Sequence, residues 1–197
     1  MNSSNRIKED WKKISKGVDL SLSEEFVRKY ADDLDWSMIS CYNHLSEDFF
    51  REFQDRVDWD NISVYRKLSE DFIREFKDKV NWKYISVSLH LHQLSEDFIR
   101  EFKDRVDWPT VCQRKLLSES FIREFQDRVD WKEISKYQRL SEDFIREFKD
   151  RVDWNNISRY QTLSEPFVWE FKDLVNWYLV FDHQVVSKHF LKNMILE

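Results

Sequence analysis

Residues 140–162 read Leu140-Ser141-Glu142-Asp143-Phe144-Ile145-Arg146-Glu147-Phe148-Lys149-Asp150-Arg151-Val152-Asp153-Trp154-Asn155-Asn156-Ile157-Ser158-Arg159-Tyr160-Gln161-Thr162. Ser141 is placed to cap a helix, because its hydroxyl can accept from a backbone N–H that the first turn leaves unpaired. Glu142 and Asp143 follow at the positive end of the helix dipole. Phe144, Ile145, Phe148 and Val152 then fall on one stripe about 100° wide, the signature of a helix with one buried face. Asp153 is a second capping residue. Trp154, Ile157 and Tyr160, three apart, form the inner face of a second helix. The stretch therefore predicts a helical hairpin, with a first helix of about eleven residues and a second of about seven, joined by almost no loop.

The same unit recurs along the chain. Trp11, Trp36, Trp59, Trp82, Trp108, Trp131, Trp154 and Trp177 stand 25, 23, 23, 26, 23, 23 and 23 residues apart. A Leu-Ser pair keeps step at 22, 45, 68, 94, 117, 140 and 163, with Val186-Ser187 as a degraded eighth copy. Both series carry the same three extra residues between the third and fourth repeats. Self-similarity at a fixed short period means stacked repeats. One unit offers too few apolar side chains to offset the entropy of ordering its backbone, so neighbours must share a core. The expected fold is all-α: an elongated helical-repeat solenoid of about seven to eight 23-residue helix-turn-helix units. Trp36, Trp59, Trp82, Trp108, Trp131, Trp154 and Trp177 form its structural core. Residues 1–21 read as an N-terminal cap and half repeat, 22–177 as the array, and 178–197 as a divergent C-terminal cap.

Composition agrees. The 197 residues include one Gly and two Pro, which leaves little material for long loops. Sixteen Phe and nine Trp, within a hydrophobic content of 41%, supply a core and argue against disorder. No apolar run approaches the ~20 residues of a membrane span, and Met1 to Arg6 lacks the apolar region of a signal peptide. Cys41 and Cys112 have unrelated neighbours and read as free intracellular thiols. A formal charge of −6 disfavours nucleic acid and anionic membranes as partners. The charged face of the first helix reads as solvated and self-neutralised, through pairs such as Glu70–Arg74, Glu75–Lys79 and Glu52–Arg56 at i,i+4. With a single glycine, no phosphate-cradling loop can form, and no catalytic motif is present. No cofactor and no metal is expected.

The phrase Leu-Ser-Glu-Asp-Phe-Ile-Arg-Glu-Phe-Lys-Asp-Arg-Val-Asp-Trp-x-x-Ile-Ser-x-Tyr-Gln resembles a tandem repeat of uncharacterised proteins of giant DNA viruses of amoebae. It stands nearly intact at 68–86, 94–108, 117–138 and 140–161, and the resemblance covers roughly residues 20–177. It implies a viral protein made in an amoebal cell, located in the host cytoplasm, the viral factory or the virion, and acting as an interaction module. No family activity carries over to residues of this chain.

Comparing the repeats with one another separates scaffold from variable positions. The residues after each Trp vary, among them Tyr84, Tyr178 and Leu179, and so does the stretch after each Ile-Ser. A constant core under a variable face suits a tuned binding surface; unconstrained drift gives the same pattern. The last repeat departs most. Trp169 takes the register of Arg146, Arg123, Arg100, Arg74 and Arg51; Phe181 replaces a serine; Tyr178 and Leu179 replace polar residues. Either these side chains anchor a partner, or Val186–Glu197 folds back over them with Phe190, Leu191, Met194, Ile195 or Leu196. The insertion, Ser88-Leu89-His90-Leu91-His92-Gln93, holds a His-x-His pair, short of the three or four ligands that a zinc site wants. It reads instead as a lengthened connection that bends the solenoid. His44, His183 and His189 carry no motif. Pro109 and Pro166 sit in first turns, and Gly17 ends a leading helix capped by Asp10. The expected function is a non-enzymatic protein-interaction scaffold for a host or viral partner, contacted through Trp169, Tyr178, Leu179, Phe181 and Tyr84. The alternatives are a structural or assembly component that self-associates through the last repeat and, more weakly, a nucleic-acid-binding helical repeat.

Overall fold

The computed structural model describes residues 22–42, 45–88, 90–187 and 190. Met1–Val106 forms one compact unit and Asp107–Glu197 a second. Among the described residues every regular element is helical. The first unit holds α1 (Glu24–Lys29), α2 (Trp36–Tyr42), α3 (Glu47–Glu52), α4 (Trp59–Tyr65), α5 (Glu70–Glu75), α6 (Trp82–Val87), a short 3-10 turn at Leu91–Gln93, and α7 (Glu96–Glu101). The second holds α8 (Trp108–Arg114), α9 (Glu119–Glu124), α10 (Trp131–Tyr137), α11 (Glu142–Glu147), α12 (Trp154–Tyr160), α13 (Glu165–Glu170) and α14 (Trp177–His183). Each unit is an all-α repeat array in which helices beginning at Glu alternate with helices beginning at Trp. The leading residues with Trp11, Asp10 and Gly17, and also His44, His189, Leu191, Met194, Ile195 and Leu196, lie outside the described residues.

The capping residues work as their positions demand. Ser141 Oγ accepts the N–H of Phe144 at 3.2 Å, and Asp153 Oδ1 accepts that of Asn156 at 2.8 Å. Both caps have extended backbone, as a residue half inside a helix should.

The first helix is shorter than its periodicity suggests. It runs for six residues, Glu142–Glu147, against the seven of Trp154–Tyr160. Phe148 ends it with φ −110° and ψ 28°. The N–H groups of Arg151 and Val152 then both donate to the Phe148 carbonyl, at 2.9 and 3.1 Å. The second bond is an i→i+4 closure. It keeps Val152 one turn below Phe148, so the apolar stripe continues through a turn that is no longer α-helix.

The expectation for the tyrosines also fails. Tyr65, Tyr137 and Tyr160 are exposed, and the inner face of the Trp helix consists of Ile157 and Ser158, both fully buried. The tryptophans themselves are half-buried. From Trp36 to Trp154 each indole packs on the phenylalanine pair that follows it: Trp131 lies stacked 6.2 Å from Phe144 and 4.8 Å from Phe148, and Trp59 lies 6.0 and 4.8 Å from Phe72 and Phe76. The polar edge is satisfied inside the turn, where Trp131 Nε1 donates to the Gln126 carbonyl at 3.0 Å.

Polar side chains tie each repeat to the next. Buried Ser135 donates to the Trp131 carbonyl and accepts the N–H of Asp153 at 2.9 Å; Ser158 does the same for Asn176, Ser63 for Asn81 and Ser40 for Asp58. Within each unit the first glutamate of a Glu helix accepts the N–H of the following cap serine, as Glu142 does from Ser164 at 2.7 Å, Glu119 from Ser141 at 2.6 Å and Glu47 from Ser69 at 2.6 Å. In the second unit Gln161 donates to the Ser135 and Gln138 carbonyls, at 2.9 and 2.8 Å, and accepts the N–H of Leu140. Gln138 and Gln184 repeat that arrangement.

Only part of the expected charge pairing forms within helices. Glu70–Arg74 closes at 3.2 Å. Glu75 and Glu52 instead meet Arg51 and Arg28 of the preceding repeat, at 2.6 and 2.8 Å. Lys79 and Arg56 reach back to Asp55 and Asp32. The cause is the short helix: it ends at Glu52 and Glu75, so residues four further on no longer share its face.

Two outcomes follow from these contacts. Ser135→Ala takes the acceptor from the part-buried N–H of Asp153 and should lower stability by about 1 kcal/mol in urea unfolding. Cys112, which stands in the same register, should accept Ser at little loss. Acid should weaken the array through the glutamates. The Ser46 hydroxyl, followed by the Ser46 N–H, holds Glu24 below its ordinary value of 4.5. Burial pushes Glu70 up, but bonds from Ser95 and Arg74 outweigh it, so its net shift is downward. A carboxylate depressed in the folded state stabilises fully above its unfolded value and loses that contribution as the pH falls through the folded one. The urea midpoint should therefore hold near neutrality and fall below about pH 4.5, less steeply in Glu70→Gln.

Candidate functional site

The residues singled out by sequence divide between the two units. Tyr84 lies half-buried on α6 of the first, its N–H donating to Asn81 Oδ1. Trp169, Tyr178, Leu179 and Phe181 belong to the second, on α13 and α14. Leu179 is half-buried, and its N–H caps onto Asn176 at 3.3 Å.

Trp169 is packed within the last repeat. In preceding repeats the arginine of this register lies over the next repeat's phenylalanine, Arg146 being 5.0 Å from the Phe167 ring and Arg123 4.9 Å from Phe144. Trp169 meets Phe190 in the same way, edge to face at 6.2 Å. Phe190 is buried, and its N–H is held by Ser187 Oγ at 3.1 Å. The indole thus replaces a cation over a ring with an aromatic pair, and Lys172 Nζ covers it at 4.8 Å.

The open apolar surface lies on α14 and beside it. Tyr178 is 77% exposed, Phe181 47%, Leu174 46% and Val185 99%. Phe181 occupies the serine register that is fully buried elsewhere; here its ring lies 5.7 Å from Trp177. Leu174 replaces the arginine that in the preceding repeat, as Arg151, pairs with Asp127 at 2.8 Å. Sequence reading passed over Leu174 and Val185. The signal was available, since Leu174 breaks the register of Arg151.

A second row went unnoticed because its tyrosines were assigned to the interior. Tyr137 and Tyr160 end α10 and α12 at the surface of the second unit. Lys136 Nζ sits 4.7 Å from one ring and 5.6 Å from the other, and Arg159 lies 5.3 Å from Tyr160. The bonds from Lys136 and then Gln113 hold the Tyr137 hydroxyl below its usual range.

The remaining chemistry is restrained. Among the described residues Arg28, Arg51, Arg74 and Arg146 are held above their usual range, first by the glutamate of the next repeat. In the insertion Leu91 is buried and His92 exposed. Burial, followed by His92 and Lys67, holds His90 below its ordinary value. Among the described residues no three side chains of metal-ligating type come together, and no helix is long and apolar enough to cross a membrane. Burial pushes the Cys112 thiol up to about 12, although the Asp130 N–H opposes it. Burial and then Asp58 raise Cys41.

No protein-family model, curated protein or solved structure matches the chain.

The thiols give a direct check on this packing. Because the thiolate is the reactive species, both cysteines should alkylate more slowly than free cysteine at pH 7.5, with Cys112 the slower. Cys112 should react readily only in urea. Rapid modification of Cys112 in the native protein would contradict its burial.

Proposed function

We propose that the chain is a non-enzymatic protein-interaction scaffold that contacts its partner through the last repeat. The observation that carries this reading is the exposed group Tyr178, Phe181, Leu174 and Val185. Three of the four stand where other repeats place Lys, Asn, Arg or Ser. Tyrosine and phenylalanine supply large contact areas at low entropic cost, and exposed aromatic groups mark interfaces. Trp169 and Trp177 both pack against Phe190 beside this group, and Tyr137 and Tyr160 add amphipathic contacts along the same unit. Tyr84 and Leu179, both half-buried, are secondary. The pairing of most arginines with carboxylates argues against a nucleic-acid partner, since phosphate contacts need free cations. The resemblance to giant-virus repeat proteins points to a host or viral protein as the partner, in the host cytoplasm or viral factory.

A second reading, self-association as an assembly or virion component, is favoured by one observation. Phe181 occupies a register that elsewhere is buried against the following repeat, so a second copy could cover it.

Tyr178→Lys combined with Phe181→Ser tests both. Phe181→Ser restores the ordinary repeat residue, so the melting temperature should hold. A protein captured stoichiometrically from amoebal lysate by the parent chain should be lost with the double variant. Concentration-dependent sedimentation of the parent, abolished in the variant, would replace the scaffold reading with self-association. Equal capture by both chains would remove the surface from consideration.

A further inference from the structure

The glutamine that seals adjacent repeats is missing at the insertion. In the second unit Gln138 Oε1 accepts the N–H of Leu117 at 2.8 Å while its amide covers two carbonyls of the preceding repeat. Gln161 and Gln184 treat Leu140 and Leu163 alike. The corresponding N–H in the first unit is that of Leu68. The residue two before the next Leu-Ser pair, which would seal it, is His92, and the three extra residues leave His92 exposed while burying Leu91. Among the described residues the Leu68 N–H has no acceptor.

A cleft of about 260 Å³ lies there, lined by Leu45, Phe50, Tyr65, Arg66, Lys67, Leu68 and His90, with Glu47 at its rim. Arg66 stands in the register of the sealing glutamines. Its half-buried guanidinium donates to the Leu45 carbonyl at 3.2 Å and lies 5.4 Å from the Phe50 ring. Among the described residues no carboxylate lies within 4 Å of Arg66, Lys67 or His90, unlike the arginines of the Glu helices. Glu47 is already committed: its oxygens accept the Ser69 N–H at 2.6 Å and the Ser69 hydroxyl at 2.8 Å. Burial disfavours the charge on Arg66, and a desolvated cation without a counter-charge is the setting in which an anion gains most. Elsewhere the position facing the leucine N–H holds a side-chain oxygen, so an acceptor oxygen fits the same place.

We infer that this cleft binds a small anion carrying an apolar group, with carboxylate or phosphate oxygens at Arg66 and the Leu68 N–H and the apolar part against Phe50 and Tyr65. Lys67 adds positive charge at the mouth.

The test uses the full chain and phenyl phosphate as probe, read by calorimetry and by amide resonances. Phenyl phosphate should bind with saturation at millimolar concentration or below, and the Leu68 amide should shift. Inorganic phosphate should bind at least about fivefold more weakly and phenol not measurably, since each supplies half of the recognition. Arg66→Gln installs the residue that three other repeats carry, so it should fold; it should weaken phenyl phosphate about tenfold or more. Should that variant melt early, Lys67→Gln and the Leu68 shift in the parent chain carry the test. No saturable binding, a Leu68 amide that stays in place, phenol binding as tightly as phenyl phosphate, or undiminished affinity in Arg66→Gln would each overturn the inference.

Discussion

A helix of six or seven residues is almost entirely ends. The first four N–H groups and last four carbonyls of any helix have no partner inside it, so a six-residue helix satisfies little of its own backbone, and such a helix is unstable alone. The architecture rests on how those orphan groups are met. Ser141 and Asp153 take one donor each from their own helices. Further groups are met by the neighbouring repeat: Ser135 takes the N–H of Asp153, Glu119 that of Ser141, and Gln161 covers the Ser135 and Gln138 carbonyls. Within each unit, adjacent repeats thus complete one another's backbone. Apolar burial supplies the driving force through the Trp131–Phe144–Phe148 stack, but the polar ties fix its spacing. That is why the Trp period holds at 23 residues from Trp108 to Trp177.

This dependence also explains what was legible in the sequence. Caps act within three residues, so Ser141 and Asp153 could be read directly. The Trp and Leu-Ser periods gave the repeat and the helical class. The length of the first helix could not be read, because the i→i+4 closure at Phe148 preserves helical periodicity beyond the helix itself. The tyrosines were placed inside on the strength of a three-residue spacing, yet Tyr160 ends its helix and turns out to solvent. Ion pairs and glutamine bonds spanning 21 to 26 residues have no local signature. Gln138, Gln161 and Gln184 in particular lie in the stretch after Ile-Ser, whose other members vary, so a sealing residue looked like an unconstrained one.

The candidate surfaces follow the same logic. Positions that reach into an adjoining repeat are restricted by what they must satisfy there, and departures at those positions carry information that changes at exposed positions do not. Tyr84 stands in the register of Asn61 and Asn156, which donate to the Ser37 and Lys132 carbonyls of the preceding repeat, but it is half-buried and leaves no open apolar surface. Phe181 and Leu174 depart at tying positions. The first removes a serine that would bind an N–H of a following repeat; the second leaves Asp150 without the partner that Asp127 has in Arg151.

The direction of those departures matters more than their existence. Where a repeat has no described successor, a serine or an arginine left in place would be solvated at almost no free-energy penalty, and terminal repeats ordinarily keep a polar outer face for solubility. Replacement by Phe181 and Leu174 runs against that default, because exposed apolar area favours association. Trp169 shows that an aromatic residue in a tying register can be absorbed when a partner ring is present, as Phe190 is. Phe181 and Tyr178 have no such cover among the described residues beyond Trp177 beside Phe181. At Phe181 and Tyr178 the change to aromatic side chains therefore leaves apolar area on which a further contact would gain free energy.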